Sequence, residues 1–138
     1  MLPWNLEHWL TDEGDRVVRK AAAANSRDVL DVRDRLLYEF WLFDTEQRND
    51  GVSQYFCNRG LEQWETFSRV AAPSLPSFPA FASKVNEVVS RSHDPYQAVI
   101  DSDVDLDGWY NHHQLRLVTE LQIATGSAGE LNGDSADL

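Results

Sequence analysis

The sequence predicts an all-α fold, a compact single-domain bundle of five or six helices. Apolar residues recur at spacings of three and four along most of the chain, the mark of helices buried on one face. No pair of alternating apolar runs is joined by an Asn-Gly-type hairpin turn, and no internal repeat is visible. The 138 residues are 42% hydrophobic and include five Trp and six Phe, enough apolar surface for one core despite a net charge of −11.

The elements follow in chain order. Leu6, Trp9 and Leu10 predict one short amphipathic helix, and Val17, Val18 and the alanines at 21–24 a second, with Gly14 between them. The central helix is expected over 27–47, in "SRDVLDVRDRLLYEFWLFDTEQ". Ser26 is its N-cap, Asp28 lies in its first turn, and Val29, Leu30, Leu36, Leu37, Phe40, Trp41 and Phe43 form a broad apolar stripe. Asn49, Asp50 and Gly51 end it, because Gly, then Asn and Asp, best tolerate the left-handed conformation of a helix C-terminus. "GLEQWETFSRVA" spaces Leu61, Trp64, Phe67 and Val70 by three, a short helix. Pro76 and Pro79 open the next, where a missing N–H costs little, followed by Phe81, Val85, Val88 and Val89. The last begins near Leu106 and carries Trp109, Tyr110, Leu115, Leu117, Val118, Leu121 and Ile123 before Gly126. The domain is thus 1–125, and 126–138 reads as an acidic flexible tail. Trp4, Trp9 and Trp109 could pair two copies in a dimer, but the core is the expected place for each.

Charge is unevenly placed. Residues 1–93 hold 14 acidic and 11 basic side chains, net −3; residues 94–138 hold nine acidic and only Arg116, net −8. Such a field repels phosphates and anionic lipid, so neither direct nucleic-acid binding nor a membrane surface is expected; a basic protein is. Cys57 is the only cysteine, so there is no internal disulfide, and a reducing cytoplasm fits. Its aromatic neighbourhood predicts a buried, small apolar role. The start lacks a signal-peptide pattern, and no apolar run has a membrane span's length.

"DSDVDLDGWYNHHQ", 101–114, nearly spells a calcium loop. With Asp103 at position 1, Asp105, Asp107 and Gly108 fall at 3, 5 and 6. Position 12, which needs a bidentate carboxylate, is Gln114, and the stretch runs into a helical pattern. Asp105 or Asp107 as an N-cap is therefore the expected role. His112 and His113 point about 100° apart on a helix, so they cannot share an ion, and one should face solvent while the other is half-buried. No metal and no cofactor are expected. Neither a phosphate-cradling glycine loop nor a serine-hydrolase elbow occurs, and no spacing selects a catalytic carboxylate pair, so an enzyme is not expected.

The most specific stretch is "EQRNDGVSQYFCNRG", 46–60, which combines a turn at Asn49, Asp50 and Gly51 with aromatics that want burial and amides that want partners. A structural polar clamp in a helical corner is the first expectation for Gln54, Tyr55, Phe56 and Asn58. The stretch resembles the DNA mimic protein 19-like family, a domain-of-unknown-function group with the hallmark Glu-x-x-Asn-Gly-Gly followed by Gln-Phe/Tyr-Phe-x-Asn. The matching positions are Glu46, Asn49, Gly51, Gln54, Tyr55, Phe56 and Asn58; Asp50 departs from the family's first glycine. A weaker likeness covers roughly 26–125. The resemblance implies an all-α domain and, for the family's DNA-mimicking member, an acidic dimer that presents carboxylates to a transcription factor as DNA would present phosphates.

The expected function is a non-enzymatic, acidic binding protein that occupies the DNA-binding surface of a basic protein such as a transcription factor. Its candidate surface is Asp101, Asp103, Asp105 and Asp107 with Glu130, Asp134 and Asp137. Carboxylates on alternate residues of an extended segment lie about 6.6 Å apart, against about 3.4 Å per phosphate along one DNA strand, so mimicry requires several elements or two subunits. The alternatives are an immunity or antitoxin-type inhibitor of one cognate enzyme, which would add aromatic anchors to charge, and a structural domain without such a partner.

Overall fold

In the computed structural model, which describes residues 2–126, the chain forms seven helices: α1 (Trp4–Ala24), α2 (Val32–Asp50), α3 (Val52–Asn58), α4 (Gly60–Ala71), α5 (Phe78–Val89), α6 (Pro95–Asp101) and α7 (Leu106–Ala124). A 3-10 turn, Arg27–Val29, precedes α2, and no strand occurs among the described residues. The all-α class holds, with more helices than the five or six expected. Among the described residues no helix is long and apolar enough to cross a membrane.

The two expected N-terminal segments are one helix, because Gly14 serves packing rather than a break. Leu10, Gly14, Val17 and Ala21 form the buried stripe of α1, and a Cβ at Gly14 would lie 2.3 Å from Cδ2 of Trp41 on α2. Close approach of the two helices offsets the roughly 1 kcal/mol that a mid-helix glycine costs relative to alanine. Asn25, at φ +53, ends α1, and the next N–H, from Ser26, reaches back to the Ala21 carbonyl at 3.0 Å.

The central helix starts later than expected. Ser26 Oγ does accept from the Asp28 N–H at 3.0 Å, but it caps only the 3-10 turn. Leu30 is extended, and Asp31 starts α2 by accepting from the Asp34 N–H at 2.9 Å. Val29 therefore leaves the predicted stripe and lies exposed.

α2 is the axle of the molecule, in contact with α1, α3, α4 and α7. Phe43, fully buried, has the rings of Tyr55, Tyr110, Phe67, Phe81 and Trp64 at 4.8, 5.1, 5.4, 5.6 and 5.9 Å, which ties α3, α4, α5 and α7 to one point. Burying one such aromatic contributes about 1.5–3 kcal/mol. Charged side chains on α2 are buried as well. Asp34 accepts from Arg16 Nη2 at 2.8 Å and Lys20 Nζ at 3.1 Å, both on α1. Glu39, fully buried, takes Arg27 Nη1 and Arg35 Nε at 3.3 Å each and the Gln63 amide of α4.

α4 spans the predicted stretch, with Trp64, Phe67 and Ala71 as its buried face and Leu61 left exposed at its start. α5 starts at Phe78 with Pro79 in its first turn and buries Phe81, Val85, Val88 and Val89. Two helices went unforeseen. In α3, Val52, Tyr55 and Phe56 face inward, so Cys57, one position further round, is exposed rather than buried as expected. α6 is capped by Asp94, which accepts from the Tyr96 N–H at 3.0 Å, and has Pro95 in its first turn. Trp4 is 78% exposed, against its expected place in the core, whereas Trp9 and Trp109 are half-buried against it. On α7, Leu115 and Ile123 are exposed too, His112 faces solvent and His113 is half-buried.

Gly14→Ala tests the α1/α2 approach by its sign. Helix propensity alone gives a gain of about 1 kcal/mol, while the contact with Trp41 predicts a loss of about 1–3 kcal/mol in urea unfolding. Asp34 supplies a second test. The Arg16 hydrogen bond holds its carboxyl below the ordinary value of 3.8, burial opposing and Lys20 assisting. A lowered folded pKa contributes stability that is present above the unfolded value and lost as pH falls through the folded one. Asp34→Asn should therefore cost about 2 kcal/mol at neutral pH, and the gap to the parent should close as urea unfolding is repeated below pH 3.8.

Candidate functional site

The corner between α2 and α3 is built around Gly51, whose N–H closes α2 on the Gln47 carbonyl at 2.9 Å. Its φ of +90° is open to glycine and strained for other residues. A Cβ there would also sit 2.8 Å from Oδ2 of Asp107. That proximity has a purpose: Asp107 Oδ1 accepts from the Val52 N–H at 2.8 Å and from Gln47 Nε2 at 3.2 Å. Asp107 thus caps α3 from the start of α7. On the other side of the corner, Glu46 accepts from Asn58 Nδ2 at 3.0 Å and Arg59 Nε at 3.2 Å, which closes the end of α3 back onto α2. Tyr55 and Phe56 pack in the core between these two ties, and burial pushes the Tyr55 hydroxyl pKa well up. Of the motif, Glu46, Gly51, Tyr55, Phe56 and Asn58 meet in this clamp; exposed Asn49 and half-buried Gln54 make no side-chain hydrogen bond within it.

The acidic stretch divides between two roles. Asp107 is turned inward to the clamp. Asp105 is the N-cap of α7, accepting from the Gly108 N–H at 2.8 Å, and a Cβ at residue 108 would lie 2.2 Å from its Oδ2. The glycine that completes the calcium-like spelling is therefore required by this cap. Asp103 is exposed in the loop, and Asp101, at the end of α6, accepts from Gln97 Nε2 at 2.8 Å. Among the described residues, no three His, Cys, Asp or Glu side chains are grouped to hold a metal ion. Asp94, Asp101, Asp103 and Asp105 are exposed and make no ion pair among the described residues. Glu130, Asp134 and Asp137 lie outside the described residues, as does the tail from 127 onward.

A second locus escaped the sequence reading. Asp44, fully buried on α2, accepts at Oδ1 from the Tyr110 hydroxyl and Gln114 Nε2, both at 2.7 Å, while Oδ2 lies 2.6 Å from Arg48 Nε. Arg48 also pairs with Glu7 of α1. Burial raises the Asp44 carboxyl pKa against the pull of Arg48, Tyr110 and Gln114; the Arg48 hydrogen bond lowers that of Glu7. Beside this group opens a cleft of about 520 Å³ lined by Leu2, Trp4, Glu7, Arg48, Asn111 and Gln114. Asp44 stays behind the lining, its Oδ1 held by two hydrogen bonds and its Oδ2 paired by charge to Arg48, which suits it to orienting its neighbours rather than to proton transfer. The only signal for it in the sequence was a polar residue within an apolar helical run.

Asp107→Ala should lower stability by about 1–3 kcal/mol, because the Val52 N–H and the Gln47 amide lose their acceptor. Asp107→Asn keeps an acceptor oxygen and should cost less than half as much, measured by thermal and urea unfolding of the two variants side by side. Set against known proteins, the chain matches no family model, no curated protein and no solved structure.

Proposed function

We propose that this chain is a non-enzymatic acidic binding protein whose α6/α7 edge occupies the DNA-binding surface of a basic partner, as the resemblance of its 46–60 motif to the DNA mimic protein 19-like family implies. The observation that carries the reading is where charge is left over. Glu7, Asp34, Glu39, Asp44 and Glu46 are each paired with an arginine inside the fold. Asp94, Asp101, Asp103 and Asp105 are exposed and unpaired among the described residues, in a part of the chain whose one basic residue is Arg116. A basic protein surface meeting this edge gains attraction and releases its own counterions, as it does on DNA. The edge is held by backbone geometry: Asp94 caps α6, Asp105 caps α7, and Asp107 pins the junction to the clamp. A second copy of the chain would supply the further row of carboxylates that mimicry of a duplex requires.

Affinity capture with the full chain tests the proposal. At low salt a basic, DNA-binding protein should be retained, duplex DNA should displace it, and its affinity should fall steeply with salt. The triple substitution Asp101→Asn, Asp103→Asn, Asp105→Asn should abolish retention while helical circular dichroism is unchanged. Retention that is indifferent to both salt and DNA, with a single cognate enzyme as partner, would sink mimicry in favour of an immunity-type inhibitor; retention of no basic protein at low salt would end mimicry as well.

A further inference from the structure

We infer that the cleft between the start of α1 and the first half of α7 is a binding site for a neutral, planar heterocycle whose edge carries adjacent hydrogen-bond donor and acceptor, the lactam edge of a nucleobase or nucleoside. Its volume, about 520 Å³, falls within the ~300–1,000 Å³ of small-molecule sites. Three features fix the ligand's chemistry.

The first is a pair of amides whose orientations are set from behind. The carboxylate of Asp107 accepts from Gln47, so the Gln47 NH2 group faces it and also donates to Oδ1 of Asn111 at 3.1 Å. With its oxygen so engaged, Asn111 is left with Nδ2 as a donor that meets no acceptor among the described residues. The carboxylate of Asp44 accepts from Gln114 Nε2, which leaves the Gln114 carbonyl oxygen as an acceptor without a donor. Asn111 and Gln114 are three residues apart on α7, on one helical face, and both line the cleft. The wall therefore offers one donor and one acceptor, the complement of a lactam C=O beside its N–H. Carboxylates on both sides determine these orientations, so they do not depend on the ligand.

The second is Trp4, a lining residue that is 78% exposed, with one face of its indole stacked on His8 at 5.3 Å and 11°. An indole held by a neighbour yet left open gives a planar ring a stacking surface at little entropic cost. Leu2, a buried lining residue, adds apolar surface to the cleft.

The third is charge. Glu7 and the buried Asp44 stand against the single cation Arg48, which both already hold. Among the described residues lining the cleft no other cation is present to receive a phosphate, so the site favours a free base or nucleoside over a nucleotide.

Inosine is the probe, because hypoxanthine carries N1–H beside C6=O as its only such edge; 1-methylinosine, which loses that N–H, is the control. In a titration of the full chain followed by side-chain amide NMR, inosine should shift the Asn111 and Gln114 resonances. The 1-methyl compound should bind at least about tenfold more weakly, since it leaves the Gln114 oxygen unpaired. Trp4→Ala and Asn111→Asp, both at exposed positions, should each weaken inosine by about tenfold or more with the fold intact by circular dichroism. Equal binding of inosine and 1-methylinosine, tighter binding of inosine monophosphate than of inosine, or no shift at about 10 mM inosine would each overturn the assignment.

Discussion

A helix that buries charge on every side can be placed in only one way, and α2 is such a helix. Asp34, Glu39 and Asp44 point in three directions, Asp34 and Glu39 about 140° apart and Asp44 about 140° further round, with Glu46 about two turns on from Glu39 on nearly the same side. Each meets partners from a different element: α1 for Asp34, the 3-10 turn and α4 for Glu39, α7 for Asp44, and the α3/α4 junction for Glu46. Such pairs contribute little net stability, since desolvation cancels most of the attraction, but removing one partner leaves an uncompensated buried charge that costs about 3–5 kcal/mol. The aromatic cluster around Phe43 supplies the favourable free energy of burial. The carboxylates reject arrangements that would bury the same rings without bringing the right arginine or amide to each oxygen.

This interior has a consequence outside. Arg16, Arg27, Arg35, Arg48 and Arg59 are all committed to carboxylates of the fold, so these five charges do not balance the α6/α7 edge. The concentration of negative charge there follows from composition and from this internal use of arginine together. Asp107 joins the two regions. It belongs by sequence to the acidic run, yet it caps α3 and orients Gln47, through which it also sets the amide of Asn111. The start of α7 therefore has an exposed carboxylate, Asp105, at its N-cap and, about two turns further on, an amide pair oriented through the carboxylates of Asp107 and Asp44.

The sequence by itself determined the class of fold and most of its helices. Apolar spacing placed α4, α5 and α7 and the run of α2, and Asn49, Asp50 and Gly51 marked the corner, because periodicity and backbone permissiveness are local properties. Local signals for α6 were also present in Asp94 and Pro95. What only the tertiary structure decided was which polar residues turn inward. Gly14 reads as a break until Trp41 is seen to occupy the space of its missing side chain, and Asp107 reads as surface until a helix N-terminus 55 residues away needs an acceptor. The Asp44 cluster and its cleft draw on α1, α2 and α7, and no spacing within one segment encodes a hydrogen bond across 70 residues. Periodicity reports the side a residue occupies on its own helix; the partner waiting on that side is set by how the helices pack.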